Sequence, residues 1–169
     1  SLKKLVFKKS QQGEISENGS WTKGYIPNGY PLIRYAEVLL LMAECQIETD
    51  DLSGACATIN KVRARAANPE GFLHLEDGIT KAANYQISLY PEFEDINQAR
   101  LALYMECKLE FGLEGHRYYD LIRWGNILNE LNRVLNYERS MVWGKTYYRM
   151  GTIDPVDLNC PIPGIARGN

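Results

Sequence analysis

Histidine is scarce in this chain: His74 and His116 are the only two among 169 residues. Cysteine is hardly commoner. Cys45, Cys56, Cys107 and Cys160 stand far apart, without the C-x-x-C or C-x-H spacing that a structural zinc site requires. Cys45, Cys56 and Cys107 fall on helix faces expected to be buried, where cysteine acts as a small hydrophobe. No metal and no other cofactor is therefore expected. Basic blocks interleaved with aromatics are missing too. Lys3-Lys4 and Lys8-Lys9 come nearest, and with a net charge of −2 and a pI near 5.8 the chain has no nucleic-acid footprint. Long apolar runs are also absent. The strongest, Ala36–Ala43, is interrupted by Glu37 and falls far short of the roughly 20 residues of a membrane span. No signal peptide is legible in Ser1-Leu2-Lys3-Lys4, so the targeting segment of an exported protein is expected to lie outside this chain.

What is present is an ordinary globular balance, 45% hydrophobic and 24% charged, which sets the chain apart from disordered sequences. A domain of this size buries roughly 70% of its unfolded surface and needs no disulfide to fold. Residues 1–30 lack a long period. They are expected to form an irregular arm, with a possible short strand at Leu5-Val6-Phe7 and turns at Gly24, Pro27-Asn28-Gly29 and Pro31. Residues 31–169 are expected to form one mainly α domain.

The helical signal starts at Leu32. Ile33, Ala36, Leu40, Ala43 and Ile47 follow one stripe of period 3.6, and Val38, Leu39, Leu41 and Met42 make the helix apolar on most sides. Such a helix is expected to be buried. Thr49-Asp50-Asp51 supplies a turn and an N-cap candidate for a second helix with Leu52, Ala55, Ile59, Val62 and Ala66 on its stripe. Two helices joined by so short a link are antiparallel neighbours. Small residues at Ala43 and Ala55 match the contact spacing of a tetratricopeptide-like hairpin, though only one hairpin is visible and not an array. After a loop at 68–80 and an ambiguous stretch at 81–92, a third helix is expected from about Glu94 to Leu113. Its stripe is Ile96, Ala99, Leu103, Cys107 and Phe111, and Gly112 and Gly115 loosen or break it. A further helix carries Tyr119, Leu121, Ile122, Leu128 and Leu131.

Three segments resemble one family. Tyr30-Pro31-Leu32-Ile33-Arg34-Tyr35-Ala36-Glu37 through Ala43-Glu44-Cys45, followed by Asn60-Lys61-Val62-Arg63-Ala64-Arg65-Ala66, is similar to P-x-I-R-x-A-E-V-x-L-x-x-A-E-A … N-x-V-R-x-R-A. Glu106 to Gly125, with Glu114-Gly115-His116-Arg117 and Asp120-Leu121-Ile122-Arg123-Trp124-Gly125, is similar to E-R-x-x-E-L-A-F-E-G-x-R-x-x-D-L-x-R-W-G. Pro161-Ile162-Pro163 is similar to a closing P-I-P. These are motifs of the SusD/RagB family of Bacteroidetes surface lipoproteins, which the chain resembles over about residues 27–165. Cys107 departs from the family's arginine, Cys45 from its alanine, and the last six residues from its Asn-rich ending. The resemblance implies a SusD-like α fold and non-enzymatic capture of oligosaccharides or other nutrients at the cell surface. It also implies a SusC-like TonB-dependent transporter as partner, and attachment to the outer membrane through a lipid anchor outside this chain.

Glu106, Glu110 and Glu114 recur every four residues, and Arg117, Asp120 and Arg123 follow directly. If the helix persists through Gly112, the three glutamates share one face. Catalysis or metal binding is one reading of these acids beside His116. Carboxylate di-metal bundles, however, use a Glu-x-x-His spacing, and here it is Glu114-Gly115-His116. Acids near arginines at a corner between helices more commonly form an ion-pair network, since guanidinium groups grip carboxylates bidentately. The six residues are expected to be that scaffold, with Arg34, Glu37 and Glu44 as further candidates, and no catalytic residue is assigned.

For ligand contact the expectation rests on aromatics in irregular segments. An apolar sugar face suits a flat ring flanked by donors and acceptors. Trp21, Tyr25 and Tyr30, near Asn18, Lys23 and Asn28, offer that mixture, and Trp143 and Tyr147, with Tyr148 and Arg149, offer a second. Ligand residues are not fixed within the family, so no position carries over. Two other readings are a tetratricopeptide-like peptide-interaction module and a carbohydrate-active enzyme using Glu110 and Glu114.

Overall fold

Two aspartates set where two of the helices begin. Asp51 accepts the amide of Gly54 (2.9 Å) and starts one helix, and Asp95 accepts the amide of Gln98 (2.8 Å) and starts another. Each satisfies a donor that the first helical turn leaves unpaired. The computed structural model describes residues 32–141 and 151–159. Among them are five α-helices and no strand: α1 (Tyr35–Glu48), α2 (Leu52–Ala67), α3 (Ile96–Glu110), α4 (His116–Arg123) and α5 (Ile127–Ser140). Short 3-10 turns occur at Pro69–Gly71 and Pro155–Leu158. The fold is mainly α, as the periodicity predicts. The strand expected at Leu5-Val6-Phe7 and the turns before residue 32 lie outside the described residues.

The chain divides into two compact units, residues 1–39 and 40–169, with the division inside α1. Of the first unit only residues 32–39 are described. The Arg34 carbonyl accepts the amides of Glu37 (2.9 Å) and Val38 (3.2 Å), so helical bonding begins there. α1 therefore starts at Tyr35, later than its apolar spacing suggests, and Ile33 precedes it with 73% of its surface exposed.

In the second unit the buried side chains follow the helical stripes. Leu40, Ala43 and Ile47 come from α1, Ala55, Ile59 and Val62 from α2, and Ala99, Leu103 and Cys107 from α3. Phe111, Leu121 and Ile127 extend this core beyond α3. A short turn, in which Asp50 takes the left-handed conformation (φ 64°), joins α1 to α2. Thr58 reaches back from α2 to the Gln46 carboxamide in the last turn of α1 (2.9 Å), as in an antiparallel hairpin. α2 packs along α3, and α4 against α5.

Two expectations about α1 fail for one geometric reason. Its core contacts come from a single stripe, and residues two positions off that stripe point the other way. Leu41 and Met42 are therefore about half exposed, and Cys45 is exposed and not buried. Cys56 and Cys107 are buried as expected, and Cys160 lies outside the described residues.

α3 stops at Glu110. Phe111 caps it, Leu113 adopts a left-handed conformation (φ 64°), and Gly115 follows with φ 84°. A helix cannot run through two left-handed residues so close together. Glu114 thus leaves the face shared by Glu106 and Glu110. Gly125, at φ 72°, similarly divides the single helix expected beyond residue 116 into α4 and α5.

Candidate functional site

Trp124 lies at the C-terminal end of α4 and joins three helices. Its ring stacks on Tyr104 of α3, with centroids 3.9 Å apart and planes 24° from parallel. Its indole N–H donates to Glu44 of α1 (3.2 Å). Arg123 donates to the same Glu44 oxygen and to Asp120 (3.3 Å), and its guanidinium lies 5.4 Å from the Trp124 ring centroid. Arg117 approaches that ring at 5.9 Å and bonds Glu130 of α5 (3.3 Å).

Glu130 meets cations from α3, α4 and α5. Arg133 grips it with two bonds of 2.8 and 2.9 Å, and Lys108 of α3 stands 3.7 Å away. Hydrogen bonding by Arg133, with the positive charges of Arg133 and Lys108 beside it, brings its carboxyl down to about 2. Burial acts in the opposite sense on the Cys107 thiol. Loss of water, reinforced by Asp120 and Glu44, pushes it up to about 12.

A second cluster joins α2 to α3. Buried Glu106 accepts from Arg63 and from the Tyr90 hydroxyl (3.1 Å), and Glu110 accepts from Arg65 (2.6 Å). Arg100 holds Glu48 of α1 bidentately at 2.9 and 2.7 Å. Of the six charged residues singled out in the sequence, Arg117, Asp120 and Arg123 gather around Trp124 and its neighbours. Glu106 and Glu110 lie with α2, and Glu114 is buried beyond the end of α3. Glu44 joins the Trp124 group.

Sequence reasoning passed over Asn60, Arg63, Arg65, Tyr90 and Glu130 as functional positions. A signal for the first two was present, since Cys56, Asn60 and Arg63 recur at i, i+4 and i+7 on one face of α2. Tyr90 had none, because it lies in a segment without periodicity. Among the described residues no group of three or more His, Cys, Asp and Glu side chains could hold a metal.

The aromatics proposed for ligand contact, Trp21, Tyr25, Tyr30, Trp143 and Tyr147, lie outside the described residues. Within them, Tyr119 of α4 is 72% exposed and meets Tyr118 edge-on at 5.7 Å. Beside it is a depression of about 230 Å³ lined by Glu114, Gly115, His116 and Tyr119. A flat ring beside a carboxylate and an imidazole is chemistry suited to a saccharide.

Arginine–carboxylate bonds thus link α1, α4 and α5 around a tryptophan stacked on α3. Residues 4–157 match the SusD family, and the chain belongs to it. Over 100 residues, 58% of the chain, it is 35% identical to SusD-like protein P25 of Formosa agariphila, and that match covers 16% of the relative's length. Members of this family are in general glycan- or nutrient-binding proteins that serve uptake.

Proposed function

We propose that this protein captures oligosaccharides at the cell surface and delivers them to a SusC-like TonB-dependent outer-membrane transporter without chemically altering them. Membership of the SusD family across residues 4–157 is the observation that carries this reading. The charged motif supports its non-enzymatic part. Glu110, one of the two carboxylates a glycosidase reading would use, is engaged by Arg65, and Glu106 by Arg63 and Tyr90. Among the described residues no helix is long and apolar enough to cross a membrane. Attachment to the outer membrane through a lipid anchor outside this chain is proposed on family membership.

The ligand surface is proposed at aromatic rings. Trp21, Tyr25 and Tyr30 form the leading group, Trp143 and Tyr147 a second, and Tyr119 stands beside the Glu114–His116 depression. Affinity electrophoresis in gels cast with soluble polysaccharides tests this assignment. The protein is retarded by at least one polysaccharide, and Trp21→Ala weakens retention about fivefold, the loss expected for one stacked ring. Retention unchanged by Trp21→Ala but lost in Tyr119→Ala would move the site to α4. Retention unchanged by both would remove these two surfaces from the proposal.

A further inference from the structure

Residues 86–91 have no regular secondary structure, yet they are bound to α2 largely through their backbone. The Asn60 carboxamide accepts the Tyr90 amide (2.9 Å) and donates to the Tyr90 carbonyl (2.9 Å), pairing with the residue as a neighbouring strand does. Arg63 donates to the Ser88 carbonyl, and the Cys56 thiol donates to the Pro91 carbonyl (3.1 Å). Bonds to backbone atoms do not depend on which side chains the bound segment carries. Specificity comes from Tyr90, whose ring lies 4.4 Å from the Arg63 guanidinium and whose hydroxyl donates to Glu106 of α3 (3.1 Å). Pro91 favours the extended form of Tyr90 that this pairing needs. Backbone bonds for affinity and a pocketed side chain for selectivity are how extended peptides are recognised in general.

The seat is filled loosely. A cavity of about 300 Å³ opens between Tyr90, Pro91, Phe93 and the α3 residues Leu101, Ala102 and Met105. Another of about 310 Å³ opens where Gln86 and Ile87 meet Val62, Ala66 and Leu109. Ser88, Leu89 and Pro91 are exposed. A segment held by polar bonds, with little apolar burial, opens locally far more often than the core unfolds.

We infer that α2 and α3 form a groove for an extended tyrosine–proline peptide, and that residues 88–91 of the chain are its resident occupant. The groove's second occupant is a segment of another protein with an extended backbone, a tyrosine seated on Arg63 and Glu106, and proline next. Apolar residues flanking that pair would enter the two cavities, which the resident segment leaves open. This inference goes beyond saccharide capture and shares no residue with the rings proposed for it.

A labelled peptide of residues 86–93 (Gln-Ile-Ser-Leu-Tyr-Pro-Glu-Phe) is the probe, read by fluorescence anisotropy against the whole chain. Tyr90→Ala removes the resident anchor and leaves Cys56, Asn60, Arg63 and Glu106 in place. The peptide binds Tyr90→Ala saturably and binds the parent chain about tenfold more weakly, because a tethered competitor acts at high effective concentration. Adding Asn60→Ala, or replacing the peptide's tyrosine by alanine, abolishes binding. A folded Tyr90→Ala that fails to bind, or equal binding by all variants, overturns the inference. Hydrogen exchange on the parent chain covers the case in which Tyr90→Ala does not fold. The Tyr90 amide then exchanges at least about tenfold faster than that of Leu103 in the core, through local opening. Equal rates for the two amides would show that the segment cannot leave the groove, and would likewise overturn it.

Discussion

Cys45 and Cys107 are both helical cysteines, and their surroundings give them opposite behaviour. Cys45 is exposed on α1, whereas Cys107 is buried with its thiol pushed up to about 12. Only the thiolate attacks a disulfide reagent, so burial suppresses the reaction through access and through ionisation. At pH 8, Cys45 reacts with an aromatic disulfide within minutes, and Cys107 reacts only on unfolding. Cys45→Ser therefore removes one fast-reacting equivalent, whereas Cys107→Ser removes none, as thiol counting in native buffer would register. Glu130 supplies a pH dependence. Its folded carboxyl sits at about 2, below its ordinary 4.5, so the charged form is stabilised by folding. That contribution is complete above pH 4.5 and is lost as pH falls through about 2. Arg133 is largely exposed, so solvent screening holds the effect to roughly 1 kcal/mol. Denaturant midpoints of the parent chain should fall more steeply than those of Glu130→Gln between pH 4.5 and 2. Parallel slopes would contradict the assignment. The Arg133 pairing is local, i to i+3 on α5, but the contributions of Lys108 and Arg117 were hidden in the sequence, because they sit on other helices whose docking no local pattern specifies.

For the elements, the sequence was most legible where one face repeats. Ala99, Leu103, Cys107 and Phe111 are buried as their spacing predicts, and the cap of α2, Asp51, falls within the Thr49-Asp50-Asp51 turn. Reading failed at helix ends. Gly112 and Gly115 marked the end of α3, but the left-handed residue between them is Leu113, which no propensity argument selects. This leucine is 76% exposed, so its side chain contributes little that offsets the conformation. Leu113→Gly relieves that backbone and raises stability by about 0.5–1 kcal/mol, after the added freedom of glycine in the unfolded chain is counted. Gly125→Ala is its converse at φ 72° and lowers stability by about 1 kcal/mol. Chemical denaturation of both variants checks the pair, and a destabilised Leu113→Gly would show that the leucine side chain has a packing role. The segment 81–92 was ambiguous in sequence for a related reason. Its order comes from Asn60, Arg63 and Glu106 on other elements, not from any period of its own.

For the whole molecule, family and fold class were legible because the charged motif and the two helical stripes are local in sequence. The Asp120–Arg123–Trp124 stretch could be recognised before its geometry was known, and that geometry shows which helices it ties together. One tryptophan stacks on α3, bonds to α1 and is flanked by two arginines, so substituting any partner loosens three helices together. The ligand surface was far less legible. Stacking aromatics in irregular segments resemble aromatics that pin loops, and only a ligand distinguishes the two. Capture of saccharides without turnover is the central claim. Isothermal titration calorimetry of the protein in its longest natural form against a panel of soluble oligosaccharides, with chromatography of each sugar afterwards, tests it most directly. The account predicts saturable binding to at least one oligosaccharide and its recovery unchanged. Cleaved products, or no heat with any saccharide from a folded protein, would contradict it.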